Sequence, residues 1–460
     1  MAETTDRTLT AAYGVDELPP WRQAVPMGIQ HVLVMFASNV TLPLLVASAI
    51  GATTGETTLL VQLAIFVAGV CTLLQTFGVG PVGARLPIVQ GTSLGFTVVA
   101  IPLAEEYGLA AVFGGGLVAG LVQVLLGTCL RWLKPLFPPL VTGLVVLVIG
   151  LSLLPTGLEF AAGGADAPDF GAGQNFALAA LVLVLMIALN RYGRGFVSAA
   201  AILLAIAVGY LVSVPFGLVE AQPIADAEWV AAPIPLAFGV SFPVAAIVGM
   251  AVMAVATTVE TIGDIGGVTA AGEGREPTAR ELSGGVLADG VGTSFAALFS
   301  AMPNTSYSQN VGVVGLTGVV SRHVVSIGAV FLVVAGLVPK LGAVISEMPT
   351  PVLGGGFLAM AGMVAAAGIK LMTADAMTRR NMLIIAVALG LGIGLLNAPD
   401  AVAMAPETLR ITLETGIVPA AVAAVLLNAI LPHGERAAAP RGADTEERGG
   451  ATRHTDESPE

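Results

Sequence analysis

Charge is scarce in this sequence. Asp, Glu, Lys and Arg make up 11% of its 460 residues, whereas a typical soluble domain carries about 25%. Long stretches contain none of the four residue types: 109–130, 176–190, 199–214 and 230–259. Runs of about 20 apolar residues are long enough to cross a bilayer. The sequence therefore excludes a chain of two or three soluble domains and predicts an all-α polytopic membrane protein.

Cysteine, histidine and clustered basic residues are also scarce. The two cysteines, Cys71 and Cys129, stand in apolar runs, where cysteine is a small core residue. The four histidines are scattered, and no Cys/His group has the spacing of metal ligands. No basic patch of the kind that binds nucleic acid is present. We therefore expect no cofactor, no metal site and no nucleic-acid partner.

The apolar runs predict fourteen membrane spans. The first twenty residues are polar and acidic, so no cleavable signal peptide is expected before the first span. The predicted spans are 24–50, 57–79, 88–104, 109–131, 138–155, 174–190, 196–215, 238–265, 281–301, 308–321, 323–339, 350–369, 380–397 and 412–431. The third and the tenth are short and polar, since they are rich in Gly, Ser and Thr.

The basic residues predict the orientation of these spans. Lys and Arg concentrate in cytoplasmic loops of membrane proteins. With both termini inside, all of the 19 Lys and Arg residues except Lys340 and Arg410 fall in cytoplasmic loops or tails. The predicted outer loops are acidic instead. We therefore expect a multi-pass protein of the plasma membrane with both termini in the cytoplasm.

The two halves of the chain carry matching irregularities. Residues 90–93 open the polar part of span three, as residues 309–310 open that of span ten. His31 interrupts span one, as Glu260 interrupts span eight. Because seven is odd, a second copy of seven spans enters the membrane from the opposite side. Paired interrupted spans in an inverted repeat are typical of a transporter whose site lies near the bilayer midplane.

Four stretches make the chain resemble the nucleobase–ascorbate transporters, a family that includes bacterial uracil and xanthine/uric acid permeases. They are Gln30-His31 with Met35-Phe36-Ala37, Gln90-Gly91-Thr92-Ser93-Leu94-Gly95-Phe96, Glu260-Thr261-Ile262-Gly263-Asp264 with Asp289-Gly290, and the signature Gln309-Asn310-x-Gly312-x-x-x-Leu316-Thr317-Gly318. Together with the run 379–381 before span thirteen, the resemblance extends from residue 22 to residue 432.

The resemblance implies a fold of two inverted sets of seven spans. In such a fold, short extended stretches lead into half-helices in spans three and ten. The implied parts are an N-terminal cytoplasmic tail at 1–22, a core domain at 23–134 and 233–345, a gate domain at 135–232 and 346–432, and a disordered cytoplasmic tail at 433–460. Members of the family commonly dimerise through the gate domain, so we expect a homodimer.

Glu260 is the first candidate substrate-binding residue. It follows an uncharged run and lies inside a predicted span, where a carboxylate costs about 2.5–3.5 kcal/mol on insertion scales. A structural role is the alternative, but no Lys or Arg lies within a span close to it. In the family the matching Glu accepts hydrogen bonds from ring N–H groups of a nucleobase. An acceptor-only carboxylate suits that task.

Gln309 is the second candidate. An amide donates and accepts, so it can read an N–H beside a C=O on one ring edge. The alternative is a helix-capping amide at the broken span. By resemblance, uracil carriers have Glu at this position and xanthine and uric acid carriers have Gln, which favours a purine substrate.

The neighbours of these two residues have lesser predicted roles. By resemblance, Ser93 and Leu94 present backbone N–H and an apolar face to the base. Many relatives have an aromatic residue where Leu94 stands, so Phe96 or Tyr307 could replace its ring, although an isolated Phe is more often core. Asn310 is expected to hold the broken helix.

Four further residues receive weaker assignments. Gly312 is expected to permit close backbone approach. Thr317 and Gly318, further along the half-helix, are assigned by resemblance to specificity or the exit path. Gln90, which opens span three, is assigned to specificity as well.

Proton coupling or site support is expected of His31, Asp264 and Asp289. His31 could orient Glu260 or relay protons, and it could equally be a satisfied core residue. Asp264 lies one turn after Glu260 on the same helical face. Asp289 belongs to another predicted span. Asp264 could instead anchor its helix near the cytoplasmic surface.

These residues predict a secondary active transporter that imports a purine nucleobase, xanthine or uric acid, by alternating access. The coupling ion is expected to be a proton, with sodium less favoured. The alternatives are a pyrimidine permease of the same family and an inorganic-anion transporter of the same fold. The carboxylate of Glu260 argues against an anion as substrate, because an anion site favours helix N-termini and basic groups. The run 91–95 matches the Gly-x-Ser-x-Gly pattern of hydrolases, but that motif needs an α/β sheet, so we expect no enzyme.

Overall fold

The computed structural model describes residues 13–133, 138–164, 167–194 and 196–432. The predicted tail at 433–460 and most of the predicted tail at 1–22 lie outside these ranges.

Nineteen α-helices and two short strands build the described part. The first ten helices are α1 Trp21–Ala49, α2 Thr54–Phe77, α3 Thr97–Tyr107, α4 Leu109–Leu133, α5 Pro139–Ser152, α6 Leu154–Ala161, α7 Gly173–Tyr192, α8 Phe196–Ala199, α9 Ala201–Ser213 and α10 Ala221–Asp226. The others are α11 Val244–Glu273, α12 Ala279–Leu298, α13 Ser308–Thr317, α14 Arg322–Ala335, α15 Pro339–Ser346, α16 Thr350–Met372, α17 Arg379–Asn397, α18 Glu407–Glu414 and α19 Ile417–Ile430.

The helices confirm the all-α membrane class. Eight of those in the described ranges are long and apolar enough to cross a bilayer, and the bent pair α14–α15 would make a ninth. The count of fourteen spans stays a prediction, as does the division into core and gate domains. Shorter apolar helices such as α19 account for part of the difference.

Some predicted spans differ from the helices observed. The span predicted at 323–339 covers α14 and ends where α15 begins, and α15 is bent by 85° from α14. Pro339 is the first residue of α15, where the missing N–H of proline is tolerated. The span predicted at 238–265 is α11, which continues to Glu273 and ends at Gly274 in the left-handed conformation. Glu260 therefore lies in the interior of a 30-residue helix.

Two strands confirm the extended stretches expected in spans three and ten. They are β1 Gln90–Thr92 and β2 Asn304–Ser306, which pair antiparallel with Gln90 opposite Ser306. A 3-10 turn at Leu94–Phe96 leads from β1 into α3, and Tyr307 leads from β2 into α13. Backbone groups at membrane depth need internal partners, and the two strands supply them to each other. Both half-helices thus start from one two-stranded ribbon.

Glycines bring the long helices into close contact. A Cβ on Gly120 of α4 would lie 2.6 Å from the carbonyl oxygen of Gly290 on α12, and one on Gly290 would lie 2.5 Å from the amide nitrogen of Val124. Helices α5 and α16 meet in the same way at Gly143 and Gly368. Small residues at such crossings are typical of helix packing in membranes. They hold α4 against α12, the helix that contacts β2.

The N-terminal segment binds the loop after α13. Tyr13 forms a parallel bridge with Val319, and its carbonyl accepts the N–H of Val320 at 3.1 Å. Asp16 pairs with Arg322 at 2.6 Å, and the hydroxyl of Ser321 donates to the chain just before α1. The start of the chain therefore holds the far end of the second half-helix.

Lys340, one of the two exceptions in the charge pattern, has local partners. Its ammonium nitrogen lies 4.6 Å from the centroid of the Trp229 ring and 3.3 Å from the carbonyl oxygen of Ala225. A cation over an aromatic face is attracted by the ring quadrupole. This contact ties the connection between α10 and α11 to the start of α15.

A candidate binding site at the two half-helices

Gln90 sits at the centre of a buried polar cluster. Its side-chain carbonyl accepts a hydrogen bond from Asn304 at 2.6 Å, and its amide nitrogen donates to Asp289. Its backbone exchanges two hydrogen bonds with the hydroxyl of Thr72, at 2.9 and 3.1 Å. The residue is fully buried. Both ends of its amide bind protein, so Gln90 acts on the site by holding β1 against β2, α2 and α12.

The two aspartates predicted to lie near Glu260 join α11 to its neighbours. Asp264 accepts hydrogen bonds from the hydroxyls of Ser306 at 2.8 Å and Ser308 at 2.5 Å. Asp289 accepts from Gln90 and from the hydroxyl of Thr261. Each carboxylate thus has both oxygens engaged by neutral donors. Asp264 thereby fixes the start of α13 on α11.

His31 is paired with Asn310. Its Nδ1 lies 2.5 Å from the side-chain carbonyl of Asn310, whose amide nitrogen donates to the carbonyl of Pro87 at 2.5 Å. Both side chains are buried. Asn310 therefore connects α13 to α1 and to the segment before β1, in keeping with its expected role. The possibility that His31 orients Glu260 has no contact to support it among the described residues.

Glu260 and Gln309 differ from these neighbours because their polar groups are free. The Oε2 atom of Glu260 is buried without a hydrogen-bond partner in the described part of the chain. The amide of Gln309 makes no hydrogen bond with any described residue, and the side chain is half-buried. The Asp264–Ser308 contact, one turn from Glu260 and one residue from Gln309, places the two on facing segments. A buried polar atom is normally paired, so the unpaired carboxylate oxygen of Glu260 marks the place of a ligand, and the amide of Gln309 lies on the segment that faces it.

The residues of the first half-helix are arranged differently from expectation. The N–H of Ser93 donates to the carbonyl of Pro303 at 2.8 Å, so it is not available to a base, and the hydroxyl is the group left free. Leu94 and Phe96 both belong to the main apolar cluster, where Leu94 is 8% exposed and Phe96 is fully buried. Tyr307 is also buried, and its hydroxyl donates to Thr92. Neither aromatic ring is free to stack on a ligand.

The remaining signature residues shape α13. A Cβ on Gly312 would meet no atom within 4 Å, so no protein backbone approaches it. The hydroxyl of Thr317 donates to the carbonyl of Val313 at 2.8 Å. Gly318 ends the helix with φ +66, a conformation that glycine adopts without strain. Thr317 and Gly318 therefore finish the half-helix, and their assignment to specificity or the exit path stays a prediction.

Several site residues were not anticipated from the sequence. The hydroxyls of Ser306 and Ser308 bind Asp264, and Thr261 binds Asp289. Asn39 of α1 accepts the N–H of Thr92 at 2.8 Å. Their signal in the sequence is weak, since it is only a polar residue within an otherwise apolar span. The partner of each is more than 25 positions away, which no local pattern reveals.

Comparisons with known proteins cover most of the chain. Residues 22–401 match a family model described as a permease family. A putative purine permease of Clostridium perfringens is 40% identical over 91% of this chain and 92% of its own length. The xanthine permease of Bacillus subtilis is 37% identical over 89% and 93%, and the uric acid transporter UacT of Escherichia coli is 35% identical over 90% and 87%.

A solved structure shares the fold at low identity. The transmembrane domain of the cyanobacterium bicarbonate transporter BicA matches with a TM-score of 0.57 and 15% identity, over 88% of this chain and 98% of that one. At this identity the likeness concerns the fold alone. It agrees with the inverted repeat of seven spans expected from the sequence.

Proposed function

The chain belongs to the nucleobase–ascorbate transporter family, and from that membership we propose that it imports a purine nucleobase, xanthine or uric acid, together with a proton. Its relatives are permeases and not enzymes, and the chain is a multi-pass membrane protein of that kind. The purine assignment is supported by the named relatives and by Gln309, which stands where uracil carriers have Glu.

The observation that carries this proposal is the pair of free groups on facing segments. Glu260 offers an acceptor oxygen without a protein donor, and ring N–H groups of a base are the donors it lacks. Gln309 can accept from a neighbouring N–H and donate to a ring carbonyl. Charge-assisted hydrogen bonds are the stronger kind, so Glu260 supplies most of the affinity for the base. Gln309 discriminates between bases by the donor and acceptor groups on one ring edge. A carboxylate facing the ligand disfavours the inorganic-anion alternative.

The proposed coupling ion is a proton, with sodium as the alternative. Asp264 and Asp289 each have both oxygens engaged by neutral donors, so a proton there would displace a hydrogen bond. Glu260 has a buried oxygen with no donor, so a proton there displaces none. Glu260 is therefore the proposed proton site before the base binds, and this proton is proposed to pass to a neighbouring acid, Asp264 or Asp289, when the base binds to the charged carboxylate, while His31 supports the site.

Transport is proposed to follow alternating access around this site. The ribbon of β1 and β2 and the two half-helices move as one body, the predicted core domain, against the predicted gate domain. Inverted repeats with broken helices commonly work in this way. The homodimer and the cytoplasmic location of both termini belong to the same proposal.

A competition assay tests the function. Uptake of radiolabelled xanthine into proteoliposomes is measured with an inward proton gradient, with an inward sodium gradient and with neither. Unlabelled uric acid, guanine, uracil, ascorbate and bicarbonate are the competitors. We expect uptake driven by the proton gradient and inhibited by purines. Competition by uracil but not by purines contradicts the purine assignment, and stimulation by sodium alone contradicts the proton.

A further inference from the structure

Three polar atoms beside the proposed base site are buried without partners. They are Oγ of Ser93, Oγ1 of Thr97 and Oε1 of Gln123, none of which has a hydrogen-bond partner within the described ranges. Each of these side chains is at most 1% exposed. A buried polar group left unpaired is costly to the fold. Ser93 and Thr97 flank the same 3-10 turn, and Gln123 contacts Thr257 beside that turn, so these three atoms point to a bound polar ligand.

Gly95 and Thr257 bring this group together. A Cβ on Gly95 would lie 3.5 Å from Oγ of Ser93 and 3.3 Å from the methyl carbon of Thr257. The hydroxyl of Thr257 in turn accepts a hydrogen bond from the amide nitrogen of Gln123 at 3.1 Å. Position 95 has no side chain, and we call the place where the 3-10 turn, α4 and α11 meet around these polar atoms the recess.

Thr97 differs from several other buried helical threonines in this chain. The usual arrangement is a hydroxyl that donates to the carbonyl four residues earlier, as at Thr41, Thr76, Thr258 and Thr269. The corresponding carbonyl for Thr97 belongs to Ser93, and it already accepts the N–H of Phe96 in the 3-10 turn. The Thr97 hydroxyl has no hydrogen-bond partner within the described ranges.

The free groups require a ligand that both accepts and donates. The hydroxyls of Ser93 and Thr97 each have a proton to donate, whereas the carbonyl of Gln123 only accepts. A bare cation would satisfy the oxygen lone pairs and leave both hydroxyl protons without acceptors. A water molecule accepts two hydrogen bonds and donates two, and buried waters commonly make about three. Water therefore fits this set better than a cation does.

We propose that the recess holds an ordered water molecule that accepts from Ser93 and Thr97, donates to Gln123, and gives its other proton to a carbonyl oxygen of the bound base. The recess adjoins the base site because Thr257 precedes Glu260 by one turn of α11. Gln123 thus acts as a positioning residue that favours oxopurines through this water. The hydrogen bond from this water to the base rests on the proposed purine function, whereas the water site itself does not.

The first experiment is a density map of the purified wild-type protein without base, at a resolution that shows ordered water. We expect a peak within hydrogen-bonding distance of Oε1 of Gln123 and Oγ of Ser93. A direct protein donor on Gln123, an empty recess, or a peak that requires sodium overturns the proposal. This result does not depend on which substrate is carried, so it separates failure of the water site from failure of the proposed function.

The second experiment measures binding of three bases to Gln123→Leu. Xanthine has carbonyl groups at C2 and C6, hypoxanthine lacks the first, and 2-hydroxypurine lacks the second. Loss of one hydrogen bond of about 1 kcal/mol predicts roughly fivefold weaker xanthine binding. The analogue that lacks the carbonyl served by the water should bind the variant and the wild type equally.

Its control is Gln62→Leu, which removes a buried amide of α2 that donates to Ala231. We expect the control to leave all three affinities unchanged. Equal loss for all three bases in Gln123→Leu indicates a merely structural role and overturns the proposal, as does no loss for any. If Gln123→Leu fails to fold, Ser93→Ala takes its place with the same expected pattern.

Discussion

Replacing Glu260 with Gln should separate base affinity from stability. The change keeps the shape of the side chain and removes its charge. A hydrogen bond to a charged group contributes about 1.5–3 kcal/mol, and each 1.4 kcal/mol is tenfold in affinity. Base affinity should therefore fall about 10- to 150-fold, and uptake should fall with it.

The same change should not weaken the base-free protein. Oε2 of Glu260 is buried without a donor in the described ranges, and an unpaired buried charge is more costly than an unpaired amide. The melting temperature without base should therefore stay the same or rise. The stabilisation that xanthine gives the wild type through mass action should largely disappear.

The assay is equilibrium binding of labelled xanthine in detergent, with thermal unfolding measured with and without base. Glu105→Gln is the matched control, since it makes the same chemical change at an exposed position and should alter neither quantity. Unchanged affinity in Glu260→Gln, or a clear drop in the base-free melting temperature, would refute the reasoning, because Glu260 would then be serving the fold.

Three further predictions follow from the site and its supports. Gln309→Glu should weaken xanthine binding and admit uracil in the competition assay, and an unchanged substrate profile would contradict the purine assignment. Asp264→Asn should lower stability by about 2–4 kcal/mol, because it weakens the hydrogen bonds from Ser306 and Ser308, and denaturation in detergent measures this. Gly290→Ala should lower the stability of the fold by about 1–3 kcal/mol through overpacking against α4. The control Gly390→Ala adds a Cβ that meets no atom within 4 Å and should leave stability unchanged. Equal melting temperatures for the two variants would contradict this prediction.

The irregular spans were the part of the fold most accessible from the sequence. Polar residues in short apolar runs have few arrangements open to them at membrane depth. The family resemblance implied the extended stretches: Gln90–Thr92 lies inside the span predicted at 88–104, whereas Asn304–Ser306 lies just before the span predicted at 308–321. The spacing of Glu260 and Asp264 gave their common helical face, because 3.6 residues make one turn. Local periodicity sufficed for that shared face.

The contacts that complete the site could not be read in this way. His31 and Asn310 are 279 positions apart, and Ser308 and Asp264 are 44 apart. Helical periodicity says which side chains share a face but not which face of another span they meet. The sequence led us to expect a Ser93 N–H that is free to bind a base. This N–H instead donates to the carbonyl of Pro303, which lies in the other half of the chain. Gln123 gave a signal that was overlooked: it is the one amide in the helix Leu109–Leu133.

The pairing of β1 with β2 has a consequence for biosynthesis. Gln90 and its partner Asn304 are 214 positions apart, so at about 5–20 residues per second the ribosome needs roughly 10–40 s to supply the second strand. During that interval the early spans carry unpaired backbone amides that lipid cannot solvate. They must be sheltered by the insertion machinery or held near the aqueous surface. A message truncated between the two strands should accordingly yield a product that quality-control proteases remove.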